Sequence, residues 1–170
     1  MFTRPAADEY AEYYGTYTNQ VPEGDILGLM DSELEATLAL LASVPAQRET
    51  FRYESGKWST REAVGHMIDT ERTFAYRALW FARGAPFPLP GMEQDDWAAT
   101  SNAHHRPLAE LAAEFGAARR SNRAMFASFD EETSMRRGVA SDCTFSVRSI
   151  AWILVGHEIH HRRILAQKYL

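Results

Sequence analysis

The chain has 170 residues, with 18 Lys+Arg, 23 Asp+Glu, six histidines and one cysteine. This length sets one domain, residues 1–170, as the expectation, and a core of that size needs no disulfide staples. Cys143 is the lone cysteine, which excludes a disulfide framework and a cysteine-rich zinc module, while the net charge of -5 excludes a broad basic footprint for nucleic acid.

Residues 1–23 hold Tyr10, Tyr13, Tyr14 and Tyr17 and end in Val21-Pro22, which reads as a lead-in segment with a short helical turn. No cationic start precedes an apolar stretch, so a secretory signal is not expected and the cytoplasm is the expected location. No apolar run approaches the roughly 20 residues of a membrane span. The first long helix is predicted from Asp25 to Ser43, where Ile26, Met30, Leu34, Thr37, Leu38 and Leu41 recur every three or four residues. Pro45 lies just past its end. The second begins at Ser59-Thr60-Arg61-Glu62, a capping box that pairs the cap hydroxyl with a backbone N–H and the glutamate with the cap's own N–H. It runs to Ala82, and Gly84 with Pro86 stops it. Residues 84–106 form a long connection of the kind that is functional or covers something. The third helix starts at Pro107 and reaches Phe129. Residues 130–145 read as a loop, with residues 144–148 as a brief extended piece before a fourth helix from Ser146 to Lys168. No alternating run demands a sheet, so the expected fold is an all-α four-helix bundle.

The chemistry concentrates on the second and fourth helices. Ile150, Ile153, Leu154, His157, His160, His161 and Ile164 form one stripe of the fourth helix, which should face the core. His157 and His161 are four apart, so their rings stand one turn apart on one face and can share a metal. A catalytic zinc wants three protein ligands and an open position. Residues 157–161 also spell H-E-x-x-H, the zinc-protease motif with Glu158 as general base. Such enzymes usually take a third ligand downstream, and RRILAQKYL, the nine residues after His161, contains no His, Asp or Glu. A third ligand must therefore come from upstream, where His104 and His105 lie in the long connection and His66 lies on the second helix. His66 with His157 and His161 would make a bundle-core site of three imidazoles.

Trp58-Ser59-x-x-Glu62-x-x-x-His66-x-x-Asp69-Thr70-Glu71, followed by Gly156-His157-Glu158-x-x-His161, resembles the DinB superfamily, including its YfiT-like branch of metal-dependent hydrolases and low-molecular-weight-thiol S-transferases. The resemblance covers most of the chain, and the two histidine motifs are its most specific part. It implies an up-down-down-up bundle, often a homodimer, with a divalent metal on the residues that match here as His66, His157 and His161. It also implies kinship with mycothiol- or bacillithiol-dependent transferases and isomerases.

The neighbouring residues leave alternatives open. Glu71 either orients a ligand histidine or pairs with an arginine such as Arg77 or Arg148. Glu158, turned about 100° from His157 on the helix, is a general base, a residue that orients a ligand, or solvent-facing. Asp69 is a candidate fourth ligand or orienting partner. His160 could replace His161, but the i,i+4 pair is better aligned. Arg119-Arg120-x-x-Arg123 reads as a solvated face, or else as a binder of an anionic thiol or carboxylate. Tyr14, Trp58, Trp97 and Trp152 read as core or interface. The expected function is a metal-dependent enzyme such as a thiol S-transferase, its low-molecular-weight thiol a cosubstrate and its other substrate a small molecule. The rival expectations are a metal-dependent hydrolase, a non-catalytic metal-binding bundle of the stress response, and a bundle whose histidines are merely structural. Zinc or nickel suits three imidazoles best; iron, cobalt, manganese or copper also fits.

Overall fold

The computed structural model describes residues 2–170. After two 3-10 turns, at Ala7–Glu9 and Glu12–Tyr14, comes a single-turn helix α1 (Gly15–Thr18). The long helices are α2 (Ile26–Ala42), α3 (Thr60–Ala82), α5 (Leu108–Ala127) and α7 (Val147–Ile164). Two short helices, α4 (Gln94–Thr100) and α6 (Glu131–Met135), lie in the connections. The predicted start signals operate as expected. Ser59 Oγ accepts from Glu62 N at 3.3 Å, and Glu62 Oε2 accepts from Ser59 N at 2.6 Å. Asp25 caps α2 through Gly28 N, and Ser146 caps α7 through Ser149 N. The fourth predicted helix closes with a π turn at Leu165–Tyr169.

The direction of each helix follows from the core. One cluster gathers Ile26 and Met30 of α2, Phe74 and Ala78 of α3, Phe126 of α5 and residues 150–154 of α7. The other gathers Leu34 and Leu41, then Val64 and Met67, then Leu111 and Phe115, and finally Leu165. The chain therefore passes from the first cluster to the second in α2 and α7, and the opposite way in α3 and α5. This is the up-down-down-up order. Because α3 and α5 run parallel, the connection between them must travel back along a helix about 35 Å long at 1.5 Å per residue. That is why it is long.

Residues 130–146 depart from the expected loop, and the extended piece expected at 144–148 overlaps one strand of a hairpin. Arg137–Ala140 (β1) and Cys143–Ser146 (β2) form an antiparallel hairpin. Its two turn residues, Ser141 and Asp142, have φ of 51° and 58°, the left-handed pair that a two-residue hairpin turn requires. Strands this short carry no readable alternation, and Ser-Asp is a weaker turn signal than Asn-Gly. The hairpin holds the long connection: Leu89 N donates to Val139 O at 2.9 Å and Ser141 N to Leu89 O at 3.1 Å. Gly138 lets it press onto α3, since a Cβ there would lie 2.0 Å from the Phe81 ring.

The lead-in segment is also pinned. The buried Glu9 carboxylate accepts from Ser146 Oγ at 2.7 Å and from Arg148 Nε at 2.7 Å. The segment also lies close at Gly156, where a Cβ would stand 2.2 Å from the Tyr17 carbonyl oxygen. Only a residue without a side chain lets α1 lie so near α7. No helix of the described residues is long and apolar enough to cross a membrane.

Candidate metal centre

α3 and α7 run antiparallel and bring His66 opposite the i,i+4 pair of α7. His66 Nε2 lies 3.0 Å from His157 Nε2, and one nitrogen of each of His66, His157 and His161 falls within a set no wider than 4.8 Å. The three ring centroids stand 5.0, 5.0 and 4.4 Å apart. Burial pushes the His66 imidazole down to about 4, with His160 adding a smaller push. His157 and His161 are driven well below the usual histidine range, again by burial first and then by their histidine neighbours. The rings are therefore neutral at pH 7 and each presents a lone pair. Converging neutral bases satisfy one another poorly, because one hydrogen bond leaves the third nitrogen without a donor. The set fits a divalent cation: metal–nitrogen bonds of about 2.0–2.1 Å hold tetrahedral ligand atoms about 3.3 Å apart.

Packing holds the rings. The Tyr17 ring meets His157 edge-on at 5.2 Å, a contact that Gly156 permits. Trp58, just before the α3 cap, lies 4.6 Å from the His66 ring and stacks at 6.5 Å over His161. Its own carbonyl accepts from Tyr169 Oη at 2.8 Å. Two cavities reach the rings. One of about 160 Å³ touches His66 and His157 and is walled by Tyr14, Tyr17, Phe74 and Arg77. A larger one of about 680 Å³ touches His161 and is walled by Arg52, Lys57, Trp58 and Asp95. Gln94 of α4 lines both.

The DinB superfamily model matches residues 29–165, from α2 to the end of α7. This chain belongs to the DinB superfamily. No curated relative matches it. Among solved structures it is similar to YfiT from Bacillus subtilis, described as a probable metal-dependent hydrolase with an unusual four-helix bundle topology. The TM-score is 0.74 at 14% identity, over 86% of this chain and 90% of that one. At that identity the likeness speaks for the DinB bundle itself.

The other sequence candidates are not in the cluster. Asp69 lines a separate cavity with Arg72 and Glu114. His160 turns toward Gln20 and the outer side of Tyr17. His104 Nδ1 faces Ser59 Oγ at 3.0 Å, at the cap of α3. Glu71 and Glu158 point into the bundle, but toward Arg119. Arg119 Nε and Nη2 donate to the two Glu71 oxygens at 2.9 and 3.0 Å, and its Nη1 lies 2.8 Å from Glu158 Oε2. Asn122 Nδ2 adds a bond to Glu71 Oε1 at 3.0 Å. This corrects three expectations. Arg119 is 1% exposed and belongs to no solvated face, Glu71 pairs with an arginine as one of its two readings had it, but with Arg119 in place of Arg77 or Arg148, and Glu158 does not face solvent. The periodicity of α5 could have signalled this, since Leu108, Leu111, Phe115 and Arg119 lie on one stripe. Tyr17 and Arg77 carried no motif, and only the docking of the lead-in and the hairpin reveals them.

Proposed function

We propose that this protein is a metal-dependent enzyme of the thiol S-transferase kind, with His66, His157 and His161 as the metal ligands. Held by these three neutral imidazoles, a divalent cation would keep its full charge and would lower the pKa of a thiol or water ligand by several units. The observation that carries the transferase reading is the absence of a carboxylate at the cluster. No carboxylate oxygen joins the three nitrogens among the described residues, and Glu158, the general base of an H-E-x-x-H hydrolase, is committed to Arg119. A coordinated thiol is deprotonated outright, whereas coordinated water reaches a pKa of only about 7, so hydrolysis gains more from a general base than thiol transfer does. Trp58 and Tyr17 shield the flanks of the rings. The larger cavity, with Arg52 and Lys57 on its wall, has room for a cosubstrate beside His161.

Hydrolysis is the second reading. It is favoured by the likeness to YfiT and by Asp95 on the wall of the larger cavity. Elemental analysis of untagged protein should find about one divalent metal per chain. A panel of cellular thiols with a bimane electrophile should then show metal-dependent conjugation. Ester or amide cleavage without conjugation would overturn the transferase reading in favour of the hydrolase. Metal with neither activity would leave a non-catalytic metal protein, and a folded protein that takes up no metal would overturn both enzymes.

A further inference from the structure

The smaller cavity contains a cation that no carboxylate among the described residues neutralises. Arg77 is 2% exposed. Its Nη2 donates to Pro90 O at 3.0 Å and to Ser141 Oγ at 2.9 Å. The Tyr14 hydroxyl lies beside it, and its guanidinium sits 4.8 Å from the centre of the Phe74 ring. These partners are all neutral. Among the described residues no carboxylate pairs with Arg77, while the equally buried Arg119 holds two. A buried guanidinium without a counter-charge is unfavourable, and with Nη2 taken by Pro90 and Ser141 its charge and its Nε and Nη1 donors remain to meet an anion.

The position of Arg77 gives that charge a use. His66, Thr70, Phe74 and Arg77 follow one face of α3 and all line this cavity, as does His157. The Cα atoms of His66 and Arg77 are about 16 Å apart at 1.5 Å per residue. The guanidinium folds back over Phe74, one turn toward the histidines. Between the two ends the wall is mainly aromatic and aliphatic. We propose that this cavity binds a small carboxylic acid with an apolar body, its carboxylate on Arg77 and its far end toward His66 and His157. A volume of about 160 Å³ restricts the occupant to a small molecule. A carboxylate is favoured over a phosphate because the cavity wall carries one cation and no second one. The role of the far end as reacting group rests on the metal-centre reading; the binding itself does not.

The test is calorimetric titration of the purified chain, metal-loaded and chelator-treated, with acetate, butyrate, adipate, benzoate and phenylacetate. Their primary amides and inorganic phosphate are titrated alongside. At least one acid should bind ten-fold or more tighter than its amide, in the chelator-treated protein as well as the loaded one. Arg77→Gln should weaken that acid ten-fold or more while leaving metal content unchanged. Arg77→Lys, which keeps the charge but not the fork, should fall between. Equal affinity for acid and amide, tighter binding of phosphate, unchanged affinity in Arg77→Gln, or no binding by any acid overturns the proposal. The acid-against-amide comparison needs only the natural sequence, so it decides the matter even if Arg77→Gln fails to fold. Metal content, measured separately, distinguishes failure here from failure of the metal centre.

Discussion

Two polar clusters lie inside the same bundle, and α3 and α7 contribute to both. His66 and Glu71 are five apart on α3; His157 and Glu158 are neighbours on α7. Yet the histidines converge on one another, and the glutamates converge on Arg119. In the arginine cluster opposite charges meet, one guanidinium between two carboxylates, so much of the cost of burial is met from within. In the histidine cluster three like groups meet, each stripped of its proton by burial, and the compensation has to come from outside. A cluster whose opposite charges meet one another is architecture. A cluster of neutral lone pairs with no donor to share is a binding site.

That contrast can be broken experimentally, and the sharpest cut is at Arg119. Arg119→Met leaves two carboxylates buried without a cation and should destabilise the fold by roughly 3–5 kcal/mol, measured by urea denaturation. The triple replacement Arg119→Met, Glu71→Met, Glu158→Leu should recover most of that loss. A triple variant as unstable as the single one would show that the cluster contributes more than charge balance.

The histidines should respond in the opposite sense. His66→Ala, His157→Ala and His161→Ala should each remove the bound metal, and with it the rise in Tm on metal addition. The chelated proteins should stay folded. His160→Ala and His104→Ala should keep the metal. A fully loaded His66→Ala would show that the three nitrogens do not act together.

A smaller effect is expected at Gly156, which shapes the histidine cluster without belonging to it. Gly156→Ala forces the Tyr17 backbone away and should cost about 1–3 kcal/mol. Residues 1–23 should become more sensitive to protease, and the edge contact of Tyr17 with His157 should be lost from the tyrosine spectrum.

A further pair built like the arginine cluster is Glu9 with Arg148, where the effect is one of pH. Burial raises the Glu9 pKa, but bonds from Arg148, Ser146 and the Ala6 N–H, with the charge of Arg148, outweigh it and hold the carboxyl down to about 2 against 4.5 ordinarily. A depressed carboxyl stabilises the fold above its unfolded pKa, and that share is lost as pH falls through the folded one. The Tm difference between the natural chain and Glu9→Gln should therefore be full above pH 4.5 and shrink toward pH 2. A difference that stays constant through that window would mean that the pair contributes by packing alone.

Much of this molecule was legible locally. The Ser59–Glu62 box, the Asp25 start and the periodic stripes each concern residues within a turn of one another, so sequence spacing reports them directly. The same holds for His157 and His161, which α-helical geometry aligns wherever the helix goes. His66 became the third member by residue type and by resemblance, and the antiparallel packing of α3 on α7 places it there. The partners of Glu71 and Glu158 were not legible. Their choice of Arg119 depends on α5 running parallel to α3, and nothing in either helix states that. Tyr17 and Arg77 were missed for the same reason. Gly156 reads as an ordinary glycine until α1 lies across it, and Arg77 as an ordinary arginine until the Ser141 turn and Pro90 close over it. Sequence by itself determined the four long helices and most of their buried faces, because those follow from backbone bonds and short spacings. Tertiary structure alone decided which buried charges are answered and which are left open, because that depends on the side chains that other helices bring to the same place.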